Sequence, residues 1–486
     1  MLLGLDLGAT NTVGCLWDGK LRMVETTDGG ATSLPSVITI ANGVALVGQA
    51  AVEAGRTHPD FDFRNFKRKM GERWHDDEDT GYQTCEGENG MLAFRGPDGS
   101  TYSPIELSSF VIGEMVHAAN EFLDGHDTVT GLVIGVPATF TPDQIAAVKE
   151  AARLAGITEN VYTLEEPVAA AIAYNIDAKK SRCSLVCDFG GNTLDISVLR
   201  SGEGLIRIIA KNGIGDLGGA DFDKRIADYA VNLFRTETKK DLALRDAAMT
   251  RVLVEAEQVK KRLTDSEETT FRVENIDRTA EGVSLHMIYK IDRRILSELT
   301  RDLQERVLAA CKAAIEDARR KDPKFTQADI QDLLLVGGMT RVPAVRQLVS
   351  EFFGKQPKRD ENPEQVVAQG LAIKAAIIEG RKPDVTVADI TSFEIAIETR
   401  GNVPAIIIPR GSPFPLEKSF KLRNADDDQT EMSVRLMFAN RPRASDCHVL
   451  EARDIPIDPA PAETREVVLT VRVDEEGHPS IADVAA

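Results

Sequence analysis

The sequence contains no apolar run of about 18 residues or more, so no membrane-spanning helix is expected. Its start, MLLGLDLGATNTVG, lacks a basic segment and places Asp6 inside the apolar stretch, which excludes a signal peptide. Basic residues are in deficit: 58 Lys and Arg stand against 77 Asp and Glu, a net charge of −19. That balance argues against nucleic acid as a partner, because such binding relies on cations that neutralise phosphates. Any anionic ligand must be held by local devices. The six cysteines include no C-x-x-C pair and the seven histidines are dispersed, so no zinc site is legible. Buried free thiols in a reducing compartment are expected instead, in a soluble, cytoplasmic protein.

The chain has 486 residues, 42% hydrophobic and 28% charged, which predicts a globular protein of two or more domains. Two segments resemble each other: LLGLDLGATNTV from residue 2 and SLVCDFGGNTLDISV from residue 184. Each is an apolar strand ending in aspartate, a tight Gly/Thr/Asn turn and a second apolar strand, the pattern of a β-hairpin. Their recurrence suggests two lobes of similar design. Thr141, Pro142 and Asp143 open a helix whose apolar stripe is Ile145, Val148, Ala152 and Leu154 and which Gly156 ends. It follows the buried strand GLVIGVP (131–137). Further helices are expected over 251–263 and, as one long element, over 295–318, and LLLVGG (333–338) reads as another buried strand. From residue 383 the helical period gives way to alternation at Met432, Val434, Leu436, Phe438 and at Val467, Leu469, Val471, Val473. The expected fold is therefore an α/β domain over 1–382, a linker over 383–391 and a compact antiparallel β domain over 392–486.

Consecutive backbone N–H groups in a Gly-rich turn form a concavity that binds anions. Gly8, Ala9, Thr10 and Asn11, and Gly190, Gly191, Asn192 and Thr193, are expected to grip phosphate oxygens. Asp6 and Asp188, at the heads of the two turns, would face each other across a cleft and suit Mg2+, which keeps most of its waters. The plainer reading is two hairpins with exposed turns, which identically placed aspartates in both copies disfavour. Gly337, Gly338 and Arg341 could form a purine site, since small residues admit a base and a guanidinium stacks on it. The stretch from Glu257 to Thr264 is by default a solvated helix face.

The set LDLGATNT, VIGVPATFTPDQ, LEEPVAAAIAYNID, DFGGNTLDISV, GDLGGADFDKRI, LLLVGGMTRVPAVRQLVSEFFGK and NPEQVVAQGLAIKAA resembles, in order and spacing, the DnaK-type heat-shock chaperone family. The resemblance implies an actin-like two-lobed ATPase domain, a linker and a β-sandwich peptide-binding domain. It implies ATP or ADP with Mg2+, and K+, as cofactors, and slow hydrolysis to ADP and phosphate. Asp6 and Asp188 would orient waters on Mg2+, and Thr10, Asn11, Gly190, Gly191 and Thr193 would hold phosphates. Lys67 would place the attacking water, Glu166 would stand near the metal hydration shell, and Asp195 would be its partner on the opposite lobe. Glu257, Lys260, Lys261 and Thr264 fall where the family grips ribose and adenine, Gly218 and Gly219 adjoin the nucleotide, and Gly337, Gly338, Arg341 and Glu364 complete that pocket. Pro137, Val385, Val387 and Asp389 correspond to its interdomain switch.

Several positions depart from that pattern. Ala9 replaces a threonine and Asn192 a third glycine. Thr386 and Ala388 replace two linker leucines, which predicts weakened coupling, because a buried leucine is worth about 1.5–3 kcal/mol. Ile145, Val168, Tyr162 and Glu165 replace residues tied to switching and co-chaperone docking, so a J-domain co-chaperone and a nucleotide exchange factor are expected only in modified form. In the β domain Ala425 matches one residue arching over a bound peptide, Arg400 occupies the other arch, and Met432 replaces a smaller pocket residue. No helical lid is expected, so peptide should leave quickly. Three functions compete: an ATP-dependent chaperone for extended or unfolded polypeptides, a nucleotide-gated adaptor for one dedicated partner, and a metabolite kinase, which the linker and β domain disfavour.

Overall fold

In the computed structural model the described residues are 1–26, 30–41, 43–55, 61–75, 84–97, 99–137, 140–174, 180–202, 205–239, 246–279, 281–358, 362–381, 386–391, 394–409, 412–439, 442–474 and 477–485. The chain divides into two compact units. One holds Met1–Ile176, Arg182–Val198 and Lys211–Pro383; the other holds Asp177–Ser181, Leu199–Ala210 and Asp384–Ala486.

In the first unit the strands Val161–Glu165, Gly131–Val136, Leu2–Leu7, Asn11–Trp17 and Leu21–Met23 lie side by side in that order. Leu2–Leu7 runs parallel to Gly131–Val136 and antiparallel to Asn11–Trp17. Strands covered on both faces read as nearly continuous apolar runs, as LLGLDL and GLVIGV do. A second sheet places Arg182–Phe189 between Asp332–Val336 and Leu194–Gly202. Asp332–Val336 is parallel to Arg182–Phe189, with Asp188 opposite Val336. The mixed α/β content and these sheets agree with the fold class expected for this part of the chain.

Helix Val366–Ile378 packs on both Leu2–Leu7 and helix Glu166–Ala173. A Cβ on Gly4 would overlap the backbone of Ala372, and one on Gly370 would overlap the Ala169 carbonyl. Two glycines therefore set how closely these elements pack, and so where the helix beginning at Glu166 stands. Helix Pro142–Leu154 starts as its sequence indicates. The Thr141 hydroxyl accepts from the Gln144 N–H at 3.3 Å, and the Gln144 side chain accepts from the Thr141 N–H at 2.9 Å.

The long helix expected over 295–318 is instead two, Arg293–Leu299 and Arg301–Lys321. At the break, Thr300 has φ −112° and ψ 16°. Its hydroxyl donates to the Leu296 carbonyl at 2.8 Å and accepts from the Gln304 amide at 3.1 Å. Such local bonds compete with the helical ladder, and the apolar period does not register them.

In the second unit, Val403–Ile408, Ile395–Thr399, Glu431–Phe438 and His448–Pro456 form one antiparallel sheet, and Leu416–Arg423, Glu466–Val473 and Pro479–Ala485 form another. Their inward residues, among them Val434, Leu436, Val467, Leu469, Val471 and Val473, share one core. Thr386–Ile390 adds in parallel to the strand Leu205–Ile214, with Leu205 opposite Thr386 and Arg207 opposite Ala388. Val385 lies outside the described residues; for Val387 and Asp389 the structure gives the backbone pairing alone.

Asn424 is 1% exposed and ties two loops of this unit together. Its amide donates to the carbonyls of Asp426, Ala460 and Pro461 at 2.9–3.1 Å, and its carbonyl oxygen accepts from the Arg465 N–H at 2.8 Å. Asn424→Ala leaves those groups unpaired, and the expected loss is about 2–4 kcal/mol of stability, read by denaturant unfolding of the transition assigned to this unit. A loss below about 0.5 kcal/mol would contradict that account.

Candidate functional site

The parallel strands of the two sheets end at Val136, Glu165 and Val336, and ligands of α/β sheets gather outside such carboxyl ends. Here the first unit contains a cavity of about 720 Å3. Both hairpin turns form its walls, through Gly8, Ala9, Thr10 and Asn11 on one side and Gly190, Gly191, Asn192 and Thr193 on the other. They approach so closely that a Cβ on Gly191 would strike the Thr10 hydroxyl.

At the floor stand Asp6, Asp188, Glu166 and Lys67. The Lys67 ammonium donates to Glu166 Oε1 at 3.0 Å, with both side chains buried. Asp195, 1% exposed, is not in the wall; it lies close enough to Asp188 for its charge to be felt there. Burial lifts the pKa of Asp6 to about 7, with the charge of Glu166 adding and Lys67 opposing. Asp188 is pushed well above the usual carboxylate range, first by burial and then by Glu166, Asp6 and Asp195. Asp6, Asp188 and Glu166 therefore crowd around Lys67, a donor set short of positive charge. A divalent cation fits that deficit. Among the described residues no three acidic, cysteine or histidine side chains converge as a direct cage. The set therefore suits Mg2+, which keeps its waters and lets carboxylates act through them.

The cavity wall also includes Glu257, Lys261, Lys260 and Thr264 from helix Asp246–Asp265, with Gly219, Gly337, Gly338, Arg341 and Glu364. Gly337 has φ +81°, and a Cβ there would overlap the Phe189 carbonyl, so only glycine fits. Arg341 is held by Asn362 at 2.9 Å and Glu364 at 3.6 Å. Burial works against the charge of Glu257, yet Lys261, at 2.8 Å, together with Lys260 and Arg64, holds its pKa below the usual value. Along the helix face from Glu257 to Thr264, Glu257 and Lys260 are largely withdrawn from solvent, while Lys261 remains exposed as its charge suggests. Lys260 is 9% exposed and donates to the Gly219 carbonyl at 3.0 Å and to Asp223 at 2.9 Å. Asp223 was not singled out from sequence, although GDLGGADFDKRI contains it. Burial raises its pKa to about 6, with Lys260 opposing. Gly218 is not in the wall; a Cβ on it would overlap the Asn192 backbone. Pro137 is buried and lines the cavity.

The residues assigned to peptide lie in the second unit. Arg400 reaches the Ala425 carbonyl at 3.4 Å and the Asp426 carboxylate at 3.3 Å, while remaining 77% exposed. Met432 is 7% exposed, in the core beneath. Glu165 is paired with Lys211. All six cysteines are buried free thiols, and no described helix is long and apolar enough to cross a membrane.

A model of the Hsp70 protein family matches residues 2–486, essentially the whole sequence. Members of that family bind ATP and ADP with Mg2+, hydrolyse ATP and act as chaperones on unfolded polypeptides with J-domain and exchange-factor partners. With a match of that extent, the chain belongs to the Hsp70 protein family.

Proposed function

We propose that this protein binds Mg-ATP between the two hairpin turns, hydrolyses it slowly, and uses the nucleotide state to control binding of extended polypeptide by the 392–486 domain. The observation that carries the reading is the convergence of both turns on Asp6, Asp188, Glu166 and Lys67. Backbone N–H groups of residues 9–11 and 191–193 hold the phosphates, while those of Gly8 and Gly190 close the turns on the Asp6 and Thr193 carbonyls. Lys67 and Glu166 orient the attacking water. Glu257, Lys260, Lys261, Thr264, Gly338 and Arg341 take the nucleoside. Bound Mg2+ would neutralise the triphosphate, with Asp6 and Asp188 holding its waters. This suits phosphoryl transfer, in which positioning and charge compensation supply most of the catalysis. The linker is 383–391. Within it, Thr386–Ile390 adds as a strand to Leu205–Ile214.

One observation favours the adaptor reading of the β domain. Arg400, at one proposed arch position, pairs at the exposed surface with Asp426, which adjoins Ala425 at the other, and Met432 belongs to the core of this unit. Steady-state phosphate release, with no acceptor and with a panel of unfolded peptides, separates the readings. Stimulation by many peptides supports the chaperone; basal release with a flat response supports the adaptor; ADP formation that needs a metabolite acceptor and frees no phosphate means a kinase. Thr193→Ala removes the hydroxyl at the end of the second turn. It should lower kcat about 10–100-fold while ATP affinity changes less than kcat. Unchanged turnover would remove Thr193 from the phosphate site.

A further inference from the structure

Residues Phe66–Lys69 form one 3-10 turn, entered through Asn65 at φ +56°. Phe66 is rooted in the core of the sheet that begins with Leu2–Leu7. The next two side chains leave this turn with different partners. Lys67 reaches Glu166, as described above. Arg68 donates to the Asp221 carboxylate at 3.1 Å and to the Asn192 carbonyl at 3.3 Å.

Those two acceptors belong to one rigid corner. Asp221 Oδ2 also accepts from the Gly218 N–H at 2.7 Å. The N–H groups of Gly219 and Ala220 donate to the carbonyls of Gly190 and Gly191 at 3.1 and 2.9 Å. The second hairpin turn is thereby bolted to the start of helix Gly219–Thr238, and Arg68 grips both from the wall that carries Lys67. The guanidinium is only 25% exposed and Asp221 26%. Two charge-assisted bonds from one such guanidinium fix an orientation that a solvated surface pair does not.

We propose that Arg68 is a positioning residue that clasps the cleft shut: it couples the approach of the second turn to the placement of Lys67 and retards nucleotide release. The inference rests on the nucleotide reading of the cavity. Opening the cleft breaks both Arg68 bonds and displaces the adjoining Lys67, so a cleft that can release product is also one that cannot hydrolyse. Arg68 acts through this geometry and not by touching the reacting atoms.

The test is stopped-flow release of a fluorescent methylanthraniloyl-ADP, with steady-state hydrolysis, in wild type, Arg68→Ala, Arg68→Lys, Arg68→Asp, Asp221→Asn, Arg68→Ala/Asp221→Asn, the charge swap Arg68→Asp/Asp221→Arg, and Lys67→Ala. Arg68→Ala and Asp221→Asn should each accelerate release about tenfold and lower kcat, and the double variant should be no worse than either, because residues in direct contact are not additive. Arg68→Lys should recover part of the slow release, and the charge swap should outperform Arg68→Asp alone. Lys67→Ala should reduce hydrolysis with ADP release near the wild-type rate. Unaltered ADP release in an Arg68→Ala protein with wild-type melting would overturn the clasp alone. Failure of the wild type to bind the analogue would sink the nucleotide reading and the clasp with it. If Asp221→Asn fails to fold, Arg68→Ala against Arg68→Lys carries the same comparison at a partly exposed position.

Discussion

Lys67→Ala lowers the single-turnover rate of ATP hydrolysis by about 10²–10³-fold, the range for removing one preorganised charge-stabilising donor, while ATP binding stays measurable. The expectation follows from where the ammonium sits. It is 3.0 Å from Glu166 Oε1 and is the cation whose charge opposes the raised pKa of both Asp6 and Asp188. Alanine leaves three neighbouring carboxylates with no opposing lysine, and a triphosphate entering that floor meets only negative charge. Binding survives because the two turns and the nucleoside end of the cavity are untouched. Single-turnover hydrolysis with prebound ATP, beside equilibrium titration of ATP, separates these effects. A variant that hydrolyses normally removes Lys67 from the reaction; one that no longer binds ATP moves its role from chemistry to affinity.

Much of the cleft could be read from sequence because its parts are local. The paired hairpins are written as strand, aspartate, turn and strand, and Thr141, Pro142 and Asp143 announce their helix as cap, first-turn proline and acidic residue. What could not be read is carried by side chains distant in sequence. Arg68 meets Asp221 across 153 positions, and although the resemblance singles out Lys67, nothing near FKRKMG indicates that its neighbour Arg68 turns across to a carboxylate. Lys260 looks like a solvated charge on a helix face, yet folding commits it to Gly219 and Asp223. The break at Thr300 escaped for a different reason: a threonine satisfies the apolar period whether its hydroxyl faces water or the preceding turn. In the β domain, alternation identified the inward residues. The ion pair between Arg400 and Asp426 depends on two loops meeting, which alternation does not encode.

The same crowding predicts that activity and stability respond oppositely at the two aspartates. With the pKa of Asp6 raised from 3.8 to about 7, the folded protein holds that proton more tightly than the unfolded chain does. Its stabilising contribution is therefore complete below about pH 4 and is lost as pH rises through about 7. Asp188 shifts in the same direction, by burial first and then by its carboxylate neighbours. At pH 8 without nucleotide or metal, the charge of Asp6 is a cost that an isosteric amide removes, and the same direction of shift extends the argument to Asp188. Asp6→Asn and Asp188→Asn should thus raise the melting temperature of the nucleotide-free protein by about 2–4 °C, the usual equivalent of about 1 kcal/mol in a domain somewhat smaller than this. For Asp6→Asn the gain should shrink towards pH 5, where the wild-type carboxyl regains its proton. With Mg-ADP the order should invert: the wild type gains stability by ligand linkage, and the variants, lacking an anionic partner for the metal waters, gain less. Hydrolysis in both should fall by at least about 10²-fold. Thermal melts at pH 5 and pH 8, with and without Mg-ADP, contain the decisive comparison. A nucleotide-free variant that melts below wild type at pH 8 would show that the two carboxylates support the fold on their own, and that the electrostatic deficit assigned to this floor is not what makes it receive a cation.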